Sequence, residues 1–462
     1  MPSTPVTTKT NFFAGSTTKA FTAAAISLLV ADNDKYPHVQ WTTPVCELIR
    51  DDFVLQDEWA TKHLTLEDIL SHRTGMPSHD RALGRPRGSR SVHDERLAAP
   101  RDIVRQLRHL PATKEPRTTY QYCNAMFVTA AHVVQTLTGQ WLGDFLRERI
   151  WRPLGMDNTY FFTEDATAAG GLAKGYYYDE EKQEYVEVPN MDVDDGSGAG
   201  AVISNVEDYA KWAHAIVTRS DVLPAAAWDE IFTSRTIMYE GGSLTGPQTY
   251  ALGWRKGVYN GQLVYQHSGG MDAYSAQFVL LPDLQYGVVI FGNTAGSAWF
   301  AEQALVWHLI DEKLKVTATD RPDRNKDNLA WIEEGKERAA KAVERFYPNL
   351  PETRQPCSLT LADYVGTYTH PGYQTLKIYS GEKGLQADRT ETTWHEHMTF
   401  EHVFRDFFVI TSNWKGDFAV YYPDKYPAEF RIGANNKVSK VGIGWEASMG
   451  NEKIWLKRLD SP

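Results

Sequence analysis

Residues Gly15-Ser16-Thr17-Thr18-Lys19 stand at the head of an apolar run over 20–30, and the fold is read outward from them. Residues three apart in a helix are neighbours on one face, so Ser16 and Lys19 are expected side by side at a helix N-terminus. The helix end adds unpaired N–H groups and partial positive charge, which favour an alkoxide and any oxyanion formed beside it. Phe21, Ala23, Ala24, Ala25, Ile26, Leu28 and Leu29 make the run apolar nearly all round, the pattern of a helix buried on every side. A lysine desolvated there can lose its proton near neutral pH and act as a base. The pair then describes a nucleophile with its base in the next turn. Taken in isolation it also describes an N-capped core helix with a snorkelling lysine, so other segments must discriminate.

Two segments do. Tyr120-Gln121-Tyr122-Cys123-Asn124 precedes a helical run over 125–137. Two apart in an extended turn, Tyr122 and Asn124 point the same way. The phenol can pass a proton to and from a leaving group, and the amide can orient the lysine and a substrate carbonyl. His267-Ser268-Gly269-Gly270 follows a strand-like stretch at 262–266 and precedes another at 273–281. Glycines there let a substrate backbone approach the strand edge, so Ser268 and Gly269 are expected at the substrate. The N–H of Gly270 is expected to pair with that of Ser16 as an oxyanion hole. Gly198 belongs to a small-residue segment, 194–201, that can pass close to a substrate. Each motif has a plainer reading: a packed aromatic and a helix cap for Tyr122 and Asn124, a satisfied strand-end histidine for His267. His72-Arg73-Thr74-Gly75 reads as a structural turn beside the site.

In this order the three motifs resemble the penicillin-binding protein and serine β-lactamase superfamily, in the branch of class C β-lactamases, esterases and D-aminopeptidases. There Tyr-x-Asn replaces Ser-x-Asn, and His-x-Gly often replaces Lys-Thr-Gly. The resemblance runs over residues 10–315, through the stretches 12–22 and 64–77, Pro153-Leu154-Gly155-Met156, and Gly198-Ala199-Gly200 followed by 204–212. A weaker one covers the C-terminal hundred residues, where 361–373 resembles the lipocalin-like domain appended to many members. The implied fold class is α+β. A β-lactamase-like catalytic domain, with an antiparallel sheet flanked by helices and an all-helical subdomain, spans 1–315. A linker with a charged helix spans 316–357, and a small antiparallel β-barrel spans 358–462. The resemblance also implies roles. Ser16 attacks a carbonyl, and Lys19 or Tyr122 removes its proton. Asn124 orients lysine and substrate, and His267 sets the protonation of Tyr122 or binds the acyl acceptor. Members usually carry a helix and two strands before Ser-x-x-Lys. Here fifteen residues precede Ser16, so the strand at 286–291 is expected as a sheet edge that another chain would cover. A shortened N-terminus and a homo-oligomer are both compatible with that.

Composition bounds the rest. With 462 residues, 42% of them hydrophobic, the chain suits two domains. A net charge of −11 opposes general nucleic-acid binding. Arginines 81, 85, 87, 90, 96, 101, 105 and 108 crowd together and read as a solvated insert, with attraction of an anionic substrate as the alternative. No apolar run is long enough for a membrane span. Lys19 interrupts the one stretch that resembles a signal peptide. Three cysteines, Cys46, Cys123 and Cys357, imply no disulfide framework and suit a reducing, cytoplasmic setting. No metal motif, phosphate loop or dinucleotide turn appears, and no cofactor is expected. His395-Glu396-His397 lacks a third ligand and reads as exposed strand. A hairpin is expected at 174–179 and 184–188, and a helix at 206–217. Another helix carries the stripe Phe300, Ala304, Trp307, Ile310 and Leu314. Barrel strands are expected at 364–368, 374–379, 407–411, 418–422, 429–432 and 440–443.

The expected function is a serine hydrolase or acyltransferase. It would act on an ester, amide or thioester carbonyl of a small-molecule or acyl-carrier-type substrate, such as a secondary metabolite, through acyl-Ser16. True β-lactamase activity ranks lower, because histidine in place of lysine removes a fixed positive charge. The rival from another class is a catalytically silent relative serving as a binding or scaffold protein.

Overall fold

The structure is a computed structural model that describes residues 5–84, 95–180, 182–191, 194–240, 244–390, 392–414 and 422–459. The chain forms two compact units, one from residues 1–76 and 91–325, the other from 77–90 and 326–462.

In the first unit, helix α1 (Thr18–Ala31) follows directly on a 3-10 turn at Gly15–Thr17. Every residue from Thr18 to Leu29 is buried, as a helix with no polar face requires. Phe21 stacks on Trp212, with ring centroids 4.8 Å apart, and meets Trp151 and Tyr209 edge-on. Three further helices pack in this region: α2 (Asn124–Thr138), α3 (Ser197–Gly200) and α4 (Val206–Thr218). Between α1 and α2 the chain makes short helices, among them Leu66–Leu70 and Glu95–Gln106. The Leu66–Leu70 helix starts on a Thr65/Asp68 capping box, and buried Asp68 also binds Arg73 and Arg117. The expected hairpin forms from Gly175–Asp179 and Glu184–Val188.

A six-stranded antiparallel sheet carries the rest: β1 (Thr236–Glu240), β2 (Thr245–Tyr250), β3 (Arg255–Tyr259), β4 (Gln262–Met271), β5 (Tyr274–Leu281) and β6 (Tyr286–Gly292). Its strands lie in sequence order, and β6 is an edge strand, as expected. The last three were legible in the sequence. The first three are short and bulged, with register shifts between Ile237 and Tyr239 and between Thr245 and Thr249, which breaks the alternation a strand would show. Strand β4 does not end at Gln266. It continues through His267, Ser268, Gly269 and Gly270, which puts that motif inside the sheet. Helix α5 (Ser297–Leu314) covers one face, packing Val306, Trp307 and Ile310 on Val264, Val279, Leu281 and Val288.

The second unit is a closed antiparallel barrel of eight strands: β7 (Gly366–His370), β8 (Gln374–Gly381), β9 (Gly384–Arg389), β10 (Glu396–Phe404), β11 (Phe407–Trp414), β12 (Asp424–Ile432), β13 (Val438–Ile443) and β14 (Ile454–Arg458). The expected strand at 364–368 begins later, because Thr360 and Asp363 cap a short helix at Leu361–Tyr364. The strand expected at 418–422 falls, up to residue 421, outside the described residues. Glu396 is not on an exposed strand. It is 2% exposed, paired with Arg389 at 3.1 Å, and accepts the Ser412 hydroxyl. Residues 77–84 also depart from the solvated insert. Arg81 lies 2.9 Å from Asp424 and 3.6 Å from Glu396, and His79 Nδ1 meets the Tyr373 hydroxyl at 2.7 Å. Arg85, Arg87 and Arg90 lie outside the described residues. Farther along, Arg105 pairs with Asp52, and Arg108 donates to the Asp51 carbonyl.

Candidate active site

The first unit brings its three motifs to one place. Gly15 adopts φ +52°, a left-handed conformation that glycine takes without strain. It turns the chain into the 3-10 turn that carries Ser16 one helical turn ahead of Lys19. Lys19 is fully buried. Its Nζ contacts Ser16 Oγ at 2.9 Å, Asn124 Oδ1 at 2.7 Å and the carbonyl of Ala199 at 2.7 Å. The rings of Tyr122 and Phe127 lie 4.8 and 5.3 Å from the same nitrogen. The hydroxyl of Tyr122 donates to Ser16 Oγ at 2.7 Å. Ser16 Oγ therefore touches an amine and a phenol at once.

Strand β4 abuts the Ser16 turn through glycine. A Cβ on Gly269 would stand 2.0 Å from the Ala14 carbonyl oxygen and 3.2 Å from the Ser16 nitrogen. One on Gly15 would stand 2.6 Å from the Gly270 nitrogen. Only bare backbone brings these two segments, and with them the Ser16 and Gly270 amides, so close. Gly270 is exposed, with open space where a Cβ would go. Ser268 pairs with Gln277 of β5 and is nearly buried.

His267 is buried, and both ring nitrogens have partners. Nδ1–H donates to the Ser268 carbonyl at 2.8 Å, and Nε2 accepts the Tyr250 hydroxyl at 2.9 Å. Burial first, then the charges of Arg255 and Lys19, hold its imidazole well below the ordinary histidine range. Burial likewise pushes the Tyr250 phenol well above its usual range. The two groups are neutral near pH 7, and the hydrogen bonds select one tautomer. The His267 and Tyr122 rings are neighbours, with centroids 6.4 Å apart.

Gly198, expected near the substrate, is packed between helices. A Cβ there would meet the Phe127 carbonyl at 2.7 Å and Thr22 Oγ1 at 3.0 Å, and its own carbonyl accepts the Thr22 hydroxyl. Its small size serves helix packing between α1 and α2. The segment's contribution is instead the neighbouring Ala199 carbonyl on Lys19, which carries no side-chain signal. Tyr250 was also missed. Its one trace in the sequence is Gly253 nearby, held at φ +74° with no room for a Cβ against the Lys19 carbonyl. Among the described residues no three His, Cys, Asp or Glu side chains are grouped to hold a metal, and no helix is long and apolar enough to cross a membrane. Cys46, Cys123 and Cys357 form no disulfide.

A serine turn beside a lysine, a tyrosine and a glycine-lined strand, on an α+β frame, is the arrangement of the penicillin-binding-protein-like hydrolases. The Beta-lactamase family profile matches residues 1–311, and the chain belongs to that family. A Domain of unknown function (DUF3471) matches residues 350–458, over the barrel, whose form is consistent with a lipocalin-like domain. Over 99% of its length the chain is 47% identical to an unguisins hydrolase of Aspergillus campestris, covering 84% of that protein. It is 43% identical to an unguisins hydrolase of Aspergillus violaceofuscus, over 99% of this chain and 83% of that one. The fold is shared with the octameric penicillin-binding protein homologue from Pyrococcus abyssi, at a TM-score of 0.59 and 20% identity, over 98% of this chain and 90% of that chain.

Proposed function

We propose that the protein is a serine amidohydrolase that opens an amide bond of an unguisin-type small molecule through an acyl-Ser16 intermediate. The observation that carries this reading is the double contact of Ser16 Oγ with Lys19 Nζ and Tyr122 Oη, and the likeness to the two unguisins hydrolases supports the substrate class. Ser16 Oγ attacks the carbonyl carbon, and its proton passes into the Lys19–Tyr122 pair. Charge gathers on the carbonyl oxygen, where the amides of Ser16 and Gly270 would receive it. Each such donor contributes on the order of a hundred-fold or more to the rate. The tetrahedral adduct then breaks its C–N bond, and the nitrogen leaves as an amine only once protonated. A phenol in contact with Ser16 Oγ suits that task, and this favours an amide over an ester, whose leaving group needs less acid assistance. Water then attacks the acyl carbon and returns Ser16 to its hydroxyl form. His267 keeps the strand neutral and holds Tyr250 behind the site.

The test is to mix the enzyme briefly with an unguisin, quench with acid, and map the mass increase. An acyl group on the Ser16 peptide, absent from Ser16→Ala, is the expected result. Turnover by Ser16→Ala at the wild-type rate would overturn the reading. Efficient hydrolysis of a cephalosporin without attack on the unguisin would move the substrate to β-lactams.

A further inference from the structure

Resting on the reading of Ser16 as the nucleophile, we propose that His72 is a positioning residue for the reaction, a neutral histidine that clamps the backbone on both sides of Tyr122. His72 follows the Leu66–Leu70 helix, is fully buried, and adopts φ +55°. A buried non-glycine residue persists in that conformation only where its surroundings over-determine it, and such positions concentrate at functional sites. Here two bonds do so. The His72 carbonyl accepts the N–H of Gln121 at 2.8 Å, and His72 Nδ1 accepts the N–H of Cys123 at 3.0 Å. One residue thus holds positions 121 and 123, and the direction in which Tyr122 leaves the chain is set between them. Asn124, the partner of Lys19, follows at once as the first residue of α2.

The ring completes the clamp. Its centroid lies 4.2 Å from that of Tyr122, 4.7 Å from Tyr250 and 5.1 Å from Phe127. Those three rings include the proton donor to Ser16, the partner of His267 and a ring over Lys19. Nδ1 can accept from Cys123 only in the neutral imidazole, so the ring proton sits on Nε2. That atom has no hydrogen-bond partner among the described residues. A second proton, on Nδ1, would face the Cys123 N–H and break the clamp. Burial, with the charges of Lys19 and Arg255 as lesser causes, opposes it. The turn at 72–75 is structural in form, yet one of its side chains sets the geometry of the Tyr-x-Asn motif.

His72→Asn and His72→Phe separate the two parts of the clamp. Asparagine tolerates the left-handed conformation and offers Oδ1 where Nδ1 stood, without the ring. Phenylalanine keeps a ring and offers no acceptor. The readouts are the rate of Ser16 labelling by a fluorescent fluorophosphonate, backbone hydrogen exchange across 120–124, and the thermal midpoint. The Phe variant is expected to label at least about ten-fold more slowly, since a misplacement near 1 Å costs up to about a hundred-fold. Exchange at 121–123 should be faster, and the Asn variant should recover most of the labelling rate. Should the Phe variant not fold, His72→Gln takes its place, because its amide reaches past the Cys123 N–H. Labelling of the Phe or Gln variant at the wild-type rate, or an Asn variant as slow as it, overturns the proposal while leaving Ser16 as nucleophile. Wild-type protein that does not label at Ser16 overturns the underlying reading, and the proposal with it.

Discussion

Lys19 Nζ meets the carbonyl oxygen of Ala199 at 2.7 Å, across 180 residues of chain. Together with Asn124 Oδ1 and Ser16 Oγ, that carbonyl fills the three directions an ammonium offers. A neutral amine keeps both carbonyl-type acceptors and turns its lone pair to the Ser16 hydroxyl. The same three contacts therefore serve either protonation state, which suits the proposed role of Lys19 as a base.

Replacing Lys19 by methionine keeps length and packing but takes the donor from the buried Ala199 carbonyl and from half-buried Asn124 Oδ1, at about 1–3 kcal/mol for each lost bond. Removing a buried charge relieves its desolvation and offsets part of that. Lys19→Met is expected to fold, with its thermal midpoint lowered by about 10 °C or less. Its kcat/KM should fall by at least about a hundred-fold. Calorimetry beside steady-state kinetics checks both, and an active Lys19→Met enzyme would remove lysine from the mechanism.

Gly269→Ala and Gly270→Ala should behave oppositely. A Cβ at 269 would sit 2.0 Å from the Ala14 carbonyl, so strand and Ser16 turn must part. At 270 nothing lies within 4 Å. The first variant is expected to lose Ser16 labelling and about 2–4 kcal/mol of stability. The second should keep its stability and alter KM, because its new methyl faces open space. Urea unfolding and labelling rates, measured on both, decide the matter. Equal losses in the two would contradict the packing described.

Tyr250→Phe removes the donor to His267 Nε2 and keeps the ring between His267 and His72. The bare nitrogen should lower stability by about 1–2 kcal/mol and reduce kcat more than KM. An unchanged kcat would show that the Tyr250–His267 bond is structural only.

Glu302 lies under the sheet on α5, 3% exposed, with one oxygen on the Ser275 hydroxyl. Burial pushes its carboxyl up to about 8 from 4.5. The folded state therefore holds this proton longer than the unfolded chain. The associated stability is fully present below pH 4.5 and is lost as pH rises towards 8. His72 and His267 run the other way. Their folded values are depressed, so their stability is present above the unfolded value of 6.5 and declines as pH falls below it. Glu302→Gln should thus stabilise the protein more at pH 8 than at pH 5, by about 3 kcal/mol. Paired urea titrations at the two pH values measure the difference. A pH-independent effect would mean that Glu302 is ionised throughout.

Much of the frame was legible because its causes are local. The all-round apolar run after Ser16 could only be a buried helix, and the stripe through Trp307 and Ile310 could only face a sheet. Strands β4 to β6 alternate well enough to be read. Strands β1 to β3 do not, since bulges interrupt their pairing. Gly198 shows that one physical rule leaves the neighbour open. Glycine permits close approach, and here the neighbours it admits are α1 and α2. Glu396 looked exposed because nothing near it in sequence announces Arg81, more than three hundred residues earlier.

The sequence by itself determined the elements of the candidate site: a serine one turn before a lysine, a tyrosine two before an asparagine, and a histidine followed by a serine and two glycines. Helix and strand periodicities act over a few residues, so spacing alone says which side chains share a face. Tertiary structure alone decided how those elements meet. It chose the Ala199 carbonyl for Lys19, Tyr250 for His267, and His72 as the brace of Tyr122. Backbone carbonyls and buried rings carry no sequence signal of their partners, and only close packing of distant segments brings them within hydrogen-bond range.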